Sequence, residues 1–128
     1  MTVILVPSTG DNMAINWWNW RPTVALLVRI GVLPAGEREK RCLANGCGGH
    51  LSASEALRAA EHIEDLVVAL KPNQRVLSDG GISETPIDYG KPISEWNDAD
   101  IWNNYSAKYE VLKRFVEFCR RSGGFEVL

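Results

Sequence analysis

Cysteine is scarce in this sequence, and long apolar runs are missing from it. The three cysteines are an odd number and few for 128 residues, so they do not suggest a disulfide framework. No apolar run approaches the ~20 residues that a membrane-spanning helix needs. The apolar start, residues 1–7, lacks a basic leader and is cut short by Pro7, which predicts a strand rather than a signal peptide. We therefore expect a cytoplasmic protein without a membrane anchor.

The chain also lacks an excess of basic residues. It has 14 lysines and arginines against 16 acidic residues, which gives a formal net charge of −2. General binding to a nucleic-acid backbone needs a basic face, so this class of function is not expected. The length fits one domain over residues 1–128, and no internal repeat is present.

Two amphipathic helices and one buried helix are predicted. Ser52 and Glu55 form a capping box before an apolar stripe at helical spacing, made of Ala56, Leu57, Ala60, Ile63, Val67 and Leu70. A second amphipathic helix is predicted over residues 106–121, with a stripe made of Val111, Leu112, Phe115, Phe118 and Cys119. Pro22 fits the first position of an earlier helix that is apolar nearly all round and therefore buried.

The remaining patterns predict a small, mainly antiparallel sheet, so the fold class is α+β. Asp79-Gly80-Gly81 separates two short strand patterns, which predicts a hairpin near residues 75–85. Val3–Val6 is mostly β-branched and predicts a strand buried on both faces, which pairs with a last strand over residues 125–128. A short polar helix is predicted over residues 37–44.

Three short motifs resemble a family of small uncharacterised bacterial proteins. They are a W-x-W-R-P segment at residues 18–22, Asn45-Gly46 before the capped helix, and S-G-G-F-x-V at residues 122–127. The resemblance spans most of the chain in order. It implies no catalytic residues, and Gly46-Cys47 departs from the small or acidic residues that such proteins have after the asparagine.

Cysteine and histidine residues form one candidate metal-binding or catalytic site. Cys42, Cys47 and His50 lie close together, with His62 further along on the polar flank of the capped helix. Structural zinc usually takes four ligands in two clean pairs, and only three lie close here, so no metal or other cofactor is expected. A small enzyme using Cys47 with His50 as its base, or using carboxylate chemistry, stays an alternative.

Tryptophans cluster before the buried helix. Trp17, Trp18 and Trp20 are three of the five in the chain. In an extended segment, Trp18 and Trp20 would share one face and enter the core, with Arg21 held by a carboxylate or carbonyl. The alternative is an exposed aromatic platform for a sugar, which would make the protein a carbohydrate-binding module.

The most unusual segment, residues 78–105, is acidic and aromatic. It has six acids and one base, Lys91, so its net charge is −5, and tyrosines and tryptophans are interleaved with the acids. Aromatic residues and charge together are typical of docking surfaces. The expected partner-binding residues are Asp79, Glu84, Asp88, Tyr89, Glu95, Trp96, Asp98, Asp100 and Trp102.

The leading functional hypothesis is therefore a protein-binding module for a basic partner. Its most concrete form is a small bacterial immunity protein or antitoxin that neutralises a basic protein through the acidic aromatic segment. The enzyme and the carbohydrate-binding module are weaker hypotheses because each needs a motif that the sequence does not contain.

Overall fold

A computed structural model describes residues 2–33, 49–84, 93–95 and 105–128. These residues form three α-helices, which are α1 (Trp17–Arg29), α2 (Ala53–Ala69) and α3 (Tyr109–Ser122). They also form seven short strands, which are β1 (Thr2–Pro7), β2 (Met13–Asn16), β3 (Gly49–Leu51), β4 (Arg75–Leu77), β5 (Ile82–Ser83), β6 (Ser106–Lys108) and β7 (Phe125–Val127). A single 3-10 turn covers Ile93–Glu95. Within the described part of the chain, no helix is long and apolar enough to cross a membrane.

The larger sheet joins the two ends of the chain. Its strand order is β2-β1-β7-β3, and every neighbouring pair is antiparallel. Leu5 lies opposite Val127, so the predicted pairing of the first and last strands is confirmed. Val3 and Leu5 are fully buried, whereas Ile4 and Val6 are only half-buried. The prediction that this strand is buried on both faces was wrong, because one face of the sheet packs on the core and the other is partly open to solvent.

The smaller sheet contains the predicted hairpin. Its strand order is β5-β4-β6, again antiparallel throughout. The hairpin turn closes through a hydrogen bond from the Leu77 amide to the Gly81 carbonyl, 2.8 Å long. Gly80 has φ +89°, a conformation that residues with a Cβ rarely adopt, and Asp79 Oδ1 accepts a hydrogen bond from the Gly81 amide. The α+β architecture with a hairpin near residues 75–85 is confirmed.

Helix α2 has the capping box that its sequence predicts. Ser52 Oγ accepts from the Glu55 amide, and the Glu55 carboxylate accepts from the Ser52 amide. The buried side contains Ala56, Ala59, Ala60, Ile63 and Val67. Leu57 is 51% exposed, so its placement on the buried stripe was wrong. It lies one residue past Ala56, which turns it about 100° away from the core on a 3.6-residue helix.

Helix α3 begins later than predicted. Residues 106–108 form β6, which pairs with β4, so the helix starts at Tyr109 rather than at Ser106. Phe115, on the predicted stripe, is fully buried, and Val116 beside it is 5% exposed. Val111, however, is only half-buried. The helices α2 and α3, with 17 and 14 residues, are the longest in the described part of the chain.

The S-G-G segment ends α3 and starts β7. Gly123 has the left-handed conformation that closes the helix, and Ser122 Oγ accepts from the Gly124 amide. Gly124 has φ +97°, and a Cβ placed there would lie 2.8 Å from the Leu51 carbonyl oxygen. A side chain at this position would therefore push apart β3 and the end of α3.

Helix α1 begins five residues before the predicted start. Asn16 caps it and Pro22 lies inside it, in the second turn. Seven of its thirteen residues are buried, which confirms the expected buried helix. Gly31, just after its end, has a left-handed conformation. The predicted helix over residues 37–44 lies outside the described residues.

One hydrophobic core joins both sheets and the three helices. Its aromatic centre is Trp20 from α1, Phe115 and Phe118 from α3, and Phe125 from β7. The ring centroids of Trp20 and Phe115 are 6.1 Å apart in an edge-to-face arrangement, and those of Phe118 and Phe125 are 5.2 Å apart. Such pairs bury large areas and add about 0.5–1.5 kcal/mol each beyond that burial.

Candidate functional site

Two asparagines fix the start of α1 against β6. Asn16 Oδ1 accepts hydrogen bonds from the backbone amide and the side-chain amide of Asn19, at 3.0 and 2.8 Å. The buried Asn19 side chain in turn accepts from the Lys108 amide at 2.9 Å. These three bonds hold the first turn of α1 beside β6, and they place the tryptophans at the start of α1 next to Tyr105.

Four side chains at this junction form what we call the aromatic–arginine cluster, defined as Trp17, Trp18, Arg21 and Tyr105. The ring centroids of Trp18 and Tyr105 are 4.5 Å apart. The Arg21 guanidinium carbon lies 5.1 Å from the Trp17 ring centroid and 5.5 Å from that of Tyr105. Arg21 is exposed, whereas the three rings are half-buried.

The cluster bears on two sequence predictions. The segment is helical rather than extended, so Trp20 enters the core while Trp17 and Trp18 turn toward the surface. Arg21 lies over the Trp17 and Tyr105 rings, and no carboxylate or carbonyl among the described residues holds it. Each such cation–π contact is worth about 0.5–1 kcal/mol at an exposed site.

The Trp17 indole nitrogen has no hydrogen-bond acceptor among the described residues. This Nε1 atom is buried and makes no hydrogen bond within the part of the chain that the structure describes. A buried donor without an acceptor costs about 1–3 kcal/mol. Within the described residues, the cluster therefore contains one buried donor without an acceptor.

The predicted partner-binding acids are only partly described. Asp79, Glu84 and Glu95 are exposed, as a docking surface requires. The residues that lie outside the described ranges are Asp88, Tyr89, Trp96, Asp98, Asp100 and Trp102. Glu84 Oε1 accepts from Gln74 Nε2 at 2.9 Å, so this carboxylate has a partner within the chain.

The strand register shows which of these residues come together. Leu77 lies opposite Ser106, so Asp79 and Tyr105 both lie just beyond that end of the smaller sheet. Arg75 lies opposite Ser83 at the other end, which separates Glu84 from Asp79. Asp79 and Tyr105 thus lie at the same end of the smaller sheet, where Arg29 at the end of α1 donates to the Ser78 carbonyl, and Glu84 lies at the other end.

The alternative site at His50 is also only partly described. His50 is exposed on β3, opposite Glu126 of β7, and both line an open depression of about 390 Å³ together with Ser52 and Val6. Cys42 and Cys47 lie outside the described residues. His62 is exposed on α2, as its sequence position predicts. No group of three or more metal-ligating side chains occurs among residues 2–33, 49–84, 93–95 and 105–128.

Cys119 is the one cysteine whose surroundings the described residues show. It is buried in the core, and this burial strongly raises the pKa of its thiol. A thiol held in its protonated form is a poor nucleophile, so Cys119 has a packing role.

The cluster was missed in the sequence because its members are far apart along the chain. Tyr105 was read only as part of the acidic segment, and Arg21 only as a residue needing an anionic partner. A local signal did exist, since Asn16 and Asn19 have the spacing of a helix cap, which would have placed the tryptophans on a helix. Comparison with family models, curated proteins and solved structures found no match.

Proposed function

We propose that the protein is a protein-binding module that docks its partner through the aromatic–arginine cluster and the adjoining acidic segment. The observation that carries the proposal is the tilted ring contact between Trp18 and Tyr105, with Arg21 lying over both Trp17 and Tyr105. Tryptophan, tyrosine and arginine are the residue types most enriched at binding hot spots. Here the tryptophans and Arg21 lie on α1, whose first turn is fixed by hydrogen bonds, and Tyr105 lies beside them just before β6.

The proposed partner is a basic protein. Residues 78–105 have a net charge of −5, and Asp79 lies at the same end of the smaller sheet as Tyr105. Exposed acids next to aromatic anchors would speed the encounter with a basic surface and make it sensitive to salt. In its most concrete form, the protein is an immunity protein or antitoxin that acts in the cytoplasm.

The same geometry gives less support to a carbohydrate-binding module. Sugars stack on open ring faces, whereas Arg21 lies over the Trp17 ring and Trp18 lies against Tyr105. A small enzyme stays the second alternative, since His50 and Glu126 share a depression. Its proposed nucleophile, Cys47, lies outside the described residues.

The test is to capture the partner from an extract of the native cells and then to measure its affinity as a purified protein. Trp18→Ala, Arg21→Ala and Tyr105→Ala should each weaken binding by about 10-fold or more, since hot-spot truncations remove about 2 kcal/mol or more. Glu126→Ala, an exposed change on the larger sheet, is the matched control and should bind like the wild type. Raising the salt to ~0.5 M should weaken the complex further by screening its charges.

Unchanged affinity in all three cluster variants would overturn the proposed docking site. Circular dichroism of each variant checks that the fold is intact. Binding that survives both the substitutions and the added salt would also remove the basic-partner interpretation.

A further inference from the structure

Strand β2 is an open edge of the larger sheet. Among the described residues, β1 is its only strand neighbour, since the strand order is β2-β1-β7-β3. Strand β2 pairs with β1 over all four of its residues without a bulge, and it contains no proline and no charged residue. Bulges, prolines and charges are features that protect a sheet edge from further pairing. The edge is therefore able to accept another strand.

The register shows which backbone groups of β2 point away from the sheet. Ile4 and Leu128 exchange both backbone hydrogen bonds, at 3.0 and 2.9 Å, so the polar groups of Ile4 point toward β7. These directions alternate along an antiparallel strand, so Leu5 bonds toward β2 and its opposite residue, Met13, bonds back toward β1. Ala14, the next residue of β2, therefore points its N–H and C=O outward. It is exposed, and no described residue bonds these two groups.

Helix α3 lies along this edge. Its start is near the end of β2, because the Lys108 amide just before α3 donates to Asn19, three residues past β2. Its end is near the start of β2, because Arg121 Nη2 donates to the Asp11 carbonyl at 2.9 Å. A groove of about 350 Å³ lies between the helix and the edge, and residues 12–14 form its strand side.

The helix side of this groove is basic. Arg114 and Arg121 both line it, about 10 Å apart along the helix axis. Glu117 lies between them but also lines a second groove, between α2 and α3, which neither arginine lines, so this acid lies on the ridge that separates the two.

Both guanidinium groups keep hydrogen-bond donors for an anion. Arg121 is held over the Phe118 ring, with its guanidinium carbon 4.9 Å from the ring centroid, and its one hydrogen bond to a described residue is to a neutral carbonyl. Arg114 is exposed and forms no ion pair with any described residue. Arginine donors of this kind bind carboxylates in charge-assisted hydrogen bonds.

From these features we infer that β2 and α3 bind an extended acidic peptide, which adds to the larger sheet as a further strand. Main-chain hydrogen bonds to Ala14 hold the peptide backbone beside β2. Alternate side chains of a strand point to the same face, so acids at alternate positions all face α3. Acids two and four positions apart are ~7 and ~14 Å apart, a range that includes the spacing of Arg114 and Arg121.

Charge selects this occupant over a second copy of the same chain. Antiparallel pairing of two β2 edges about a two-fold axis would place both α3 helices on the same side of the joined sheet. The basic sides of the two grooves would then face each other across the axis, and like charges repel. An acidic peptide meets the same arginines with opposite charge. This site shares no lining residue with the aromatic–arginine cluster, so it does not rest on the function proposed above.

The test uses a synthetic peptide of about nine residues with blocked ends, in which threonine and glutamate alternate. It is titrated into the 15N-labelled protein at ~0.15 M salt, and the backbone amide signals are followed by NMR. The Ala14 amide should shift, and its proton should exchange more slowly with solvent once a strand covers it. The same peptide with lysine in place of glutamate should not bind at ~1 mM.

Two matched pairs of variants separate backbone pairing from charge. Ala14→Pro removes the outward N–H and should weaken binding about 10-fold, whereas Ala14→Ser keeps it and should bind like the wild type. Arg114→Glu should also weaken binding about 10-fold or more. Lys113→Glu makes the same change of charge in the other groove and should have little effect. Circular dichroism checks each fold, and Arg114→Glu, an exposed change, tests the site even where Ala14→Pro does not fold.

An Ala14 amide that does not shift at ~1 mM glutamate peptide would overturn the inference. So would an Ala14 amide that is already protected from exchange in the free monomer, because the edge would then be covered by the chain itself. Self-association that Ala14→Pro abolishes would make a second copy the occupant instead. Equal affinities of Arg114→Glu and Lys113→Glu would also overturn the inference, since the arginines would then not select the acids.

Discussion

The outward side of α1 and the outward side of the α2–α3 pair differ in chemistry. On α1, the solvent side begins with half-buried aromatic rings and an arginine that lies over them. On α2 and α3, it consists mainly of charged side chains, with Val68 and Leu57 between them. Aromatic surface of the first kind forms anchors, whereas charged surface of the second kind gives orientation and salt sensitivity.

The inward sides of the two regions also differ. Helix α1 contributes Trp20 and a buried asparagine with three hydrogen bonds, whereas α2 contributes alanines, Ile63 and Val67. Small side chains on α2 let α3 approach closely and bring Phe115 into the centre. The stability of such a core depends on a few large residues. The start of α1 is stabilised by specific hydrogen bonds as well as by burial.

Truncating the core aromatics should have the largest effect. Trp20→Ala and Phe115→Ala should each lower the free energy of unfolding by about 3–5 kcal/mol, because both side chains are fully buried. Trp18→Ala is the matched control for Trp20→Ala, and it should cost clearly less because its ring is half-exposed. Urea unfolding of the three variants gives the comparison. Equal losses for Trp18 and Trp20 would mean that the aromatic–arginine cluster is part of the core.

Removing the side chains that cap α1 and α2 should lower the free energy of unfolding by less than truncating the core aromatics. Ser52→Ala should cost about 1 kcal/mol, the usual value for an N-cap side chain. Asn16→Ala should cost more, about 2 kcal/mol, because its oxygen also accepts from the Asn19 side chain that bonds Lys108. Both losses are measured by urea unfolding, with Glu61→Ala on the exposed side of α2 as the reference. A smaller loss for Asn16→Ala would contradict the view that hydrogen bonds fix the start of α1.

The Cys119 thiol should give the smallest effect, a change of stability with pH. Burial raises its pKa, so the folded protein keeps the proton that the unfolded chain releases above its ordinary pKa of about 9. The contribution of the protonated thiol to the free energy of unfolding is therefore complete below pH 9 and is lost as the pH rises above it. Urea unfolding between pH 8 and 10 should show a steeper fall for the wild type than for Cys119→Ala. Equal slopes would show that the thiol titrates in the fold as it does in the unfolded chain.

Sequence patterns predicted the elements whose hydrogen bonds are local. The capping box at Ser52, the buried stripes of α2 and α3 with the exceptions of Leu57 and Val111, and the Asp79-Gly80-Gly81 turn depend on neighbours within a few residues. The α+β class followed from them. Of the predicted partner-binding residues, only Asp79, Glu84 and Glu95 lie in the described ranges, and their exposure agrees with the expectation.

Tertiary structure decided what depends on distant partners. Ser106 to Lys108 became a strand because β4 supplies its hydrogen bonds, although the local pattern favours helix. Trp20 entered the core and Trp18 met Tyr105 because Asn19 binds the Lys108 amide, 89 residues away along the chain. Residue type and spacing along the chain do not predict such contacts, because the contacts stabilise the fold only once both segments are in place.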